Sequence, residues 1–380
     1  MQREASPWWP IIASSGVLSL ALLGDALIYA VLPVHAESFG VSIVWVGVLL
    51  SANRFVRVFV YGWAAQLTER IGMRRMCLFA TTGAVVSTGL YGVAEGEWLL
   101  LFARLLWGIS YAIFVLVTLT YAVEQRANVG ARVGWSRAIQ RAGPIIALLA
   151  GAWLTTELGP RMVFVVLAGI TCLAFPLAWS LPRDVIKREV AKRQPALGRP
   201  KPVDMLFFLQ GLGVDGVFAL SVTLILAERY DLSTAILSGG ALLALRHIGE
   251  AVAAPLFGAI GDRYGAAHVF AVSGVITVLG FILVALDFTV IGAVLMLIFR
   301  GALASLGPAT IVQATGQQDS VLAPLARMQA WRDLGAAIGP LGTGFAIGLV
   351  SPQSLHGVVA VLLCLSIIWW WKTRTRIQEE

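Results

Sequence analysis

Four carboxylates, eight guanidinium groups and one imidazole fall inside stretches of sequence that are otherwise apolar. The acids are Asp25, Asp215, Glu250 and Asp333, and the imidazole is His247. The arginines are Arg54, Arg57, Arg104, Arg137, Arg141, Arg246, Arg300 and Arg332, and all four lysines lie elsewhere. A carboxylate or an imidazole can take up and release a proton. Arginine stays charged at any physiological pH and offers a planar fork of donors to carboxylate or phosphate. The pattern therefore predicts proton carriage by the acids and recognition of an anionic group by the arginines. Eight fixed positive charges against four acids leave a formal surplus of four, which we expect to face the anionic part of a solute.

Arg54 and Arg57 are three residues apart and Arg137 and Arg141 four apart, so each pair shares a helix face. These four, with Arg246 and His247, are the candidate substrate contacts. The opposing interpretation is that the arginines pair with backbone carbonyls and helix C-termini and serve packing. Asp25 lies eight residues before Pro33 with no base in its own apolar run; it is the leading candidate for the coupling proton, with Asp215, Glu250 and Asp333 as rivals. Arg246 and Glu250, four apart, could simply neutralise each other.

The elements that must position these groups are transmembrane helices. Of 380 residues 58% are hydrophobic and 13% charged, with mean hydropathy +0.82; a soluble domain is near half apolar and about a quarter charged. Runs of some 20 apolar residues recur, each long enough to cross a bilayer, and stretches such as Phe270 to Leu286 do not alternate as a barrel strand would. Helical spans are expected at 10–34, 42–68, 75–94, 98–123, 132–157 and 161–181, then at 204–228, 233–261, 267–286, 288–315, 325–349 and 354–371. A charge at the centre of such a helix costs roughly 2.5–3.5 kcal/mol on insertion scales, so twelve of them must pair or line a wet cavity. The three cysteines, Cys77, Cys172 and Cys364, sit singly in apolar segments and predict neither a disulfide nor a metal site. Residues 1–10 show no signal-peptide pattern.

The domain organisation follows. Residues 1–182 and 204–380 form two six-helix bundles, and the Lys/Arg-rich stretch 183–203 is a linker. With both termini in the cytoplasm, 18 Lys and Arg residues fall on that side and only Arg161 and Arg229 on the other, as the positive-inside rule requires. The net charge of +7 is thus assigned to loops facing anionic lipid rather than to nucleic acid. Trp8, Trp9 and Trp369 to Trp371 fit an interfacial belt. Trp135 and Trp331 could stack on a solute or anchor their helices.

The halves repeat. The stretch 65–72, Ala-Gln-Leu-Thr-Glu69-Arg70-Ile-Gly72, followed by Arg74 and Arg75, corresponds to 258–265, which ends Asp262-Arg263-Tyr-Gly265. Arg104 corresponds to Arg300, Gly143-Pro144 to Gly339-Pro340, and Asp25 to Asp215. Parallel repeats joined by a cytoplasmic linker are a transporter architecture. On these motifs the chain resembles the major facilitator superfamily over nearly its whole length. The resembling parts are the loop signature G-x-x-x-D-R-x-G-R-R, with Ala65 and Glu69 replacing Gly and Asp; Arg104 followed by Gly108 and Ala112; and the Gly-Pro pattern of drug:proton antiporters, fullest at Gly335, Gly339, Pro340, Gly342 and Gly344. The resemblance implies an all-α membrane protein of twelve helices with the major facilitator fold. It gives gating roles to the loop residues, to Arg104 and Arg300, and to the Gly-Pro pairs, although the latter could equally be sites of close packing.

The expected function is a proton-coupled secondary transporter, exporting a small amphipathic or anionic metabolite or drug by alternating access. A symporter importing an organic or phosphorylated anion and a lipid-like flippase are the alternatives. No His-Glu-x-x-His, Gly-x-Ser-x-Gly or phosphate-cradling loop occurs, so an enzyme is not expected, nor a cofactor. The expected partners are a small-molecule solute, protons and the lipid bilayer of a bacterial inner membrane, with the protein monomeric.

Overall fold

The structure, a computed structural model, describes residues 8–183, 197–315, 320–347 and 349–379. Of the linker, residues 184–196 lie outside this set, and with them Lys187, Arg188, Lys192 and Arg193; so does Arg3. Among the described residues there are twelve helical rods. They are α1 (Trp9–Val31), α2 (Ile43–Ile71), α3 (Met73–Val93), α4 (Glu97–Val123), α5 (Val129–Leu158), α6 (Met162–Trp179), α7 (Pro202–Ala227), α8 (Leu232–Tyr264), α9 (Ala266–Ala285), α10 (Thr289–Ala314), α11 (Leu322–Ala346) and α12 (Pro352–Glu379). Each expected span has its helix, with ends displaced by at most three residues except at the C-terminal end of α12, which lies eight residues beyond the expected one. By length and composition nine can cross a membrane. The other three, α2, α5 and α11, are as long but each carries at least two arginines, which lowers their hydropathy.

Three departures from regular helix have local causes. Helix α6 is interrupted between Met162–Thr171 and Ala174–Trp179. Pro176 has no N–H to give to the carbonyl of Cys172 four residues back, and that carbonyl accepts instead from Phe175 N at 3.0 Å. Helix α7 is π-helical over Gly211–Phe218, between α-helical ends. Helix α12 runs on beyond the tryptophans to Glu379. There Trp369 and Trp371 are outward, but Trp370 turns inward and meets Phe270 at 4.9 Å between ring centroids, so the aromatic belt expected at this end has two members rather than three.

The described residues form two compact units, one drawn from Met1–Arg126, Ser136–Ala196 and Ser320–Ala326, the other from Ala127–Trp135, Leu197–Asp319 and Arg327–Glu380. In the first, α2 packs on α4, and α3 on α4 and α6. In the second the same scheme recurs six helices later: α8 packs on α10, and α9 on α10 and α12. Apolar side chains such as Phe59, Trp98, Leu149 and Phe345 are largely exposed. On a water-soluble protein such a surface would be a liability; on membrane-spanning helices it meets lipid.

Helix association in lipid depends on packing rather than on expulsion of water, and the interior is correspondingly close. In the first unit Phe164 meets Phe39 edge-on at 6.1 Å and Tyr91 at 5.7 Å. Of the cysteines, all free, Cys77 is buried whereas Cys172 and Cys364 are exposed on their helices.

Candidate functional site

The first unit is organised around Arg104 of α4, whose side chain is 1% exposed. Its Nη1 donates to Asp25 Oδ1 on α1 at 2.7 Å and to the Tyr91 hydroxyl on α3 at 3.3 Å. Its Nε donates to the Leu49 carbonyl on α2 at 3.0 Å, and Nη2 to the Tyr29 hydroxyl at 3.1 Å. One guanidinium thus ties four helices together, and Asp25, absent any base on its own helix, takes its partner from 79 positions downstream. Tyr29 and Tyr91 are held in turn: Tyr29 donates to the Leu50 carbonyl at 3.0 Å, and the Tyr91 hydroxyl accepts from Ser87 at 3.1 Å. A buried charge persists when it is both paired and hydrogen-bonded, and Arg104 meets both conditions.

Arg57 and Arg137 are also buried, and Arg54 and Arg141 half-buried. The Arg57 guanidinium lies 4.4 Å from the centroid of the Tyr111 ring on α4, a cation–π contact. None of these four candidate substrate contacts is exposed on the outer surface.

The second unit holds a larger cluster. Asp215, in the π-helical part of α7, accepts from Arg246 of α8 at 2.8 Å and faces Arg300 of α10 at 3.5 Å and Arg332 of α11 at 3.9 Å. Arg300 also donates to Glu250 of α8 at 2.9 Å, and Arg332 lies 3.7 Å from Asp333. Arg246 and Glu250 are therefore each engaged by another helix. His247, beside Arg246, is half-buried. The repeat extends to the ion pairs themselves: Asp25 with Arg104 in the first half corresponds to Asp215 with Arg300 in the second.

Formal charge is distributed unequally. Away from the helix ends, the second half carries Asp215, Glu250 and Asp333 against Arg246, Arg300 and Arg332, a balanced set. The first carries Asp25 against Arg54, Arg57, Arg104, Arg137 and Arg141. The whole surplus of four resides in the first half.

The two loop signatures share a backbone feature. Gly72 and Gly265 have φ of +93° and +94°, a conformation that glycine alone adopts without penalty, and each joins two helices directly. Their acids differ. Asp262 accepts from the backbone N–H groups of Gly130 and Ala131, at 2.8 and 2.7 Å, at the start of α5, where a carboxylate also meets the positive end of the helix dipole. Glu69, one methylene longer, accepts from the Ser320 hydroxyl at 2.7 Å. Arg74 stacks on Trp179 at 4.6 Å and Arg263 on Tyr264 at 5.4 Å, while Arg70 and Arg75 are exposed. Helix capping by a charged acceptor contributes about 0.5–2 kcal/mol. Asp262→Ala is accordingly expected to lower the melting temperature in detergent more than Glu69→Ala; equal shifts would contradict this ranking.

Both Gly-Pro patterns lie at backbone contacts. Gly143 donates its N–H to Ser19 Oγ of α1 at 2.8 Å, and a Cβ there would strike the Ser19 carbonyl. Gly335 and Gly339 of α11 press against Phe208, Leu212 and Gly216 of α7, whereas Gly342 and Gly344 have open space. Pro144 and Pro340 follow inside their helices, where each removes one backbone donor.

Two features of the site carry little or no mark in the sequence pattern. Tyr29 and Tyr91, which hold Arg104, have no signal beyond lying on apolar helices. Asp204 accepts through Oδ2 from Arg327 Nε at 2.6 Å and from Lys201 N at 2.8 Å. An acid in the first helical turn, just after Lys201-Pro202, is the signal that could have found it.

Comparison with known proteins agrees with this architecture. The profile of the Major Facilitator Superfamily matches residues 15–245 and 203–380. The multidrug resistance protein MdtG of Citrobacter koseri is 23% identical over 378 residues, covering 93% of this chain and 92% of that protein. MdtG of Salmonella typhimurium is 24% identical over 374 residues, covering 92% of each. Among solved structures, the human organic anion transporter MFSD10 (TETRAN) superposes with TM-score 0.78 at 16% identity, covering 96% of this chain and 100% of the other. The Escherichia coli fucose:proton symporter FucP gives TM-score 0.76 at 12% identity, with 95% and 97% covered. At such identities the two structures speak for the fold alone. Twelve helices, repeated packing and the family profile together describe a multi-pass membrane protein that is a secondary transporter of small molecules and not an enzyme.

Proposed function

We propose, from the premise that the chain belongs to the Major Facilitator Superfamily, that it couples export of a small amphipathic or anionic solute to inward movement of protons. The observation that carries this reading is the pair of half-buried Asp25 and buried Arg104, 2.7 Å apart. A carboxylate held by a permanently charged partner can exchange that partner for a proton only if the arginine finds another acceptor, and an anionic solute is such an acceptor. Proton and solute then act on one linked set of charges. Multidrug relatives along the full length favour export, and the arginine surplus of the first half favours a negative group on the solute.

In this reading residues 1–182 and 204–380 are the two halves of an alternating-access cycle, joined by 183–203, with both termini cytoplasmic and the protein a monomer in a bacterial inner membrane. Asp262 and Glu69 latch one facing state. Asp215, Glu250 and Asp333 are further proton acceptors, and Arg54, Arg57, Arg137, Arg141, Arg246 and His247 are the candidate solute contacts.

The test is proton movement in inside-out vesicles holding an imposed pH gradient, challenged with pooled anionic, zwitterionic and cationic solutes. Collapse of the gradient by an anionic or amphipathic pool supports proton-coupled export; no response from folded protein to any pool removes it and turns attention to import or lipid flipping. With the responding pool in hand, Arg57→Gln and Arg141→Gln are each expected to weaken apparent solute affinity about tenfold, the value of one charge-assisted hydrogen bond. Unchanged affinity in both would oppose their role as contacts.

A further inference from the structure

Helix α7 changes its hydrogen-bonding register around Asp215. It is α-helical over Pro202–Gln210, π-helical over Gly211–Phe218 and α-helical again over Ala219–Ala227. The wider π turn has poorer geometry than the α turn, and such segments mark functional places in helices more often than chance. Asp215 lies in its middle, drawn toward α8, α10 and α11 by Arg246, Arg300 and Arg332. Three glycines make the segment fit. A Cβ on Gly211 would strike the Arg332 carbonyl, one on Gly213 the Phe281 and Val359 side chains, and one on Gly216 the backbone of Gly339. Helix α11 thus meets α7 backbone to backbone on both sides of Asp215, and the second of these contacts is the Gly339-Pro340 step.

We propose that the π segment of α7 is a register switch, held in its present form by the ionised Asp215 among three arginines, with Gly216 and Gly339 as the fulcrum that positions the carboxylate. Arginines from three helices pull the side chain outward and offset the cost of the weaker π turn. Neutralising the carboxyl removes most of that pull. The segment then relaxes toward α-helix, and the part of α7 before it turns relative to the part after it by one residue's rotation, about 100°. Among the described residues, the charged and titratable groups at the segment include Arg246 and Glu250 of α8, Arg300 of α10, Arg332 and Asp333 of α11, and His356 of α12, which stands edge-on to Phe218 at 6.3 Å; from α9, Phe281 packs on Gly213. The switch does not depend on which solute is carried or in which direction.

Amide hydrogen exchange on the full chain in detergent or nanodiscs tests it without any solute. In Asp215→Asn, exchange within 211–218 is expected to slow by about threefold or more as the weak π bonds give way to α bonds, while α9 is unchanged. Simple destabilisation would speed exchange, so the sign separates the two. Asp215→Glu, which keeps the charge, is expected to return the wild-type rate. In a Gly339→Ala background, neutralising Asp215 is expected to change nothing, because the fulcrum is gone. Unchanged or faster exchange in Asp215→Asn overturns the switch, and equal slowing in both backgrounds overturns the role of Gly339.

Discussion

Asp25→Asn is expected to abolish solute-driven proton movement in vesicles, down to the level of vesicles without protein, while the protein stays folded. The side chain keeps an oxygen that can accept from Arg104, so the geometry built on Tyr29, Tyr91 and the Leu49 carbonyl survives. What is lost is the site where a proton can arrive and leave. Removing one partner of a buried ion pair costs about 3–5 kcal/mol when the other charge is stranded, so a fall in stability is the confounding outcome. The double variant Asp25→Asn with Arg104→Gln resolves it, since both charges leave together. Restored thermal stability without restored proton movement would assign the loss to coupling. Wild-type proton movement in Asp25→Asn would move the coupling proton elsewhere, with Asp215 the first place to look.

Asp204→Ala is expected to cost more stability than either Asp25→Asn or Asp262→Ala. Asp204 is fully buried at the start of α7, and its Oδ2 serves both Arg327 and the Lys201 N–H. Truncation removes a helix cap and strands Arg327, whose side chain is 14% exposed; the second effect dominates, and the two together reach about 3–5 kcal/mol. Thermal unfolding in detergent reads this as a large drop in midpoint or as failure to recover folded protein. Arg327→Met in the same background is expected to return much of the stability, because a buried pair can be replaced by apolar side chains at little net cost. A small shift in Asp204→Ala would mean that water reaches Arg327.

The sequence was most informative where a regularity repeats. Apolar runs located twelve helices to within a few residues, and the repeat matched Asp25 with Asp215 and Arg104 with Arg300. Given one ion pair, those two matches imply the other, because equivalent residues in equivalent folds meet equivalent partners. Periodicity could not show which arginine meets which acid: Arg104 and Asp25 belong to different helices, and chain separation says nothing of that distance. The π segment was equally hidden, because Gly-Leu-Gly-Val-Asp-Gly reads as ordinary apolar helix unless the neighbours of each glycine are known. Glu69 shows the opposite case. Its departure from the aspartate of the loop pattern was visible, and the structure shows what the extra methylene does: it reaches a hydroxyl where Asp262 reaches backbone amides.

The uneven charge of the two halves has an electrical consequence. A charge moved across the whole membrane potential gains or loses about 2.3 kcal/mol per 100 mV. The second half, with three acids and three arginines away from its helix ends, is neutral to that field. The first, with five arginines and one acid, is not. A conformational step that carries its four surplus charges through one-tenth of the membrane changes free energy by about 0.9 kcal/mol per 100 mV. On the proposed proton-coupled cycle, voltage and not only the pH gradient would set which way the first half faces, and depolarisation would loosen the hold on the cycle even with the proton gradient intact.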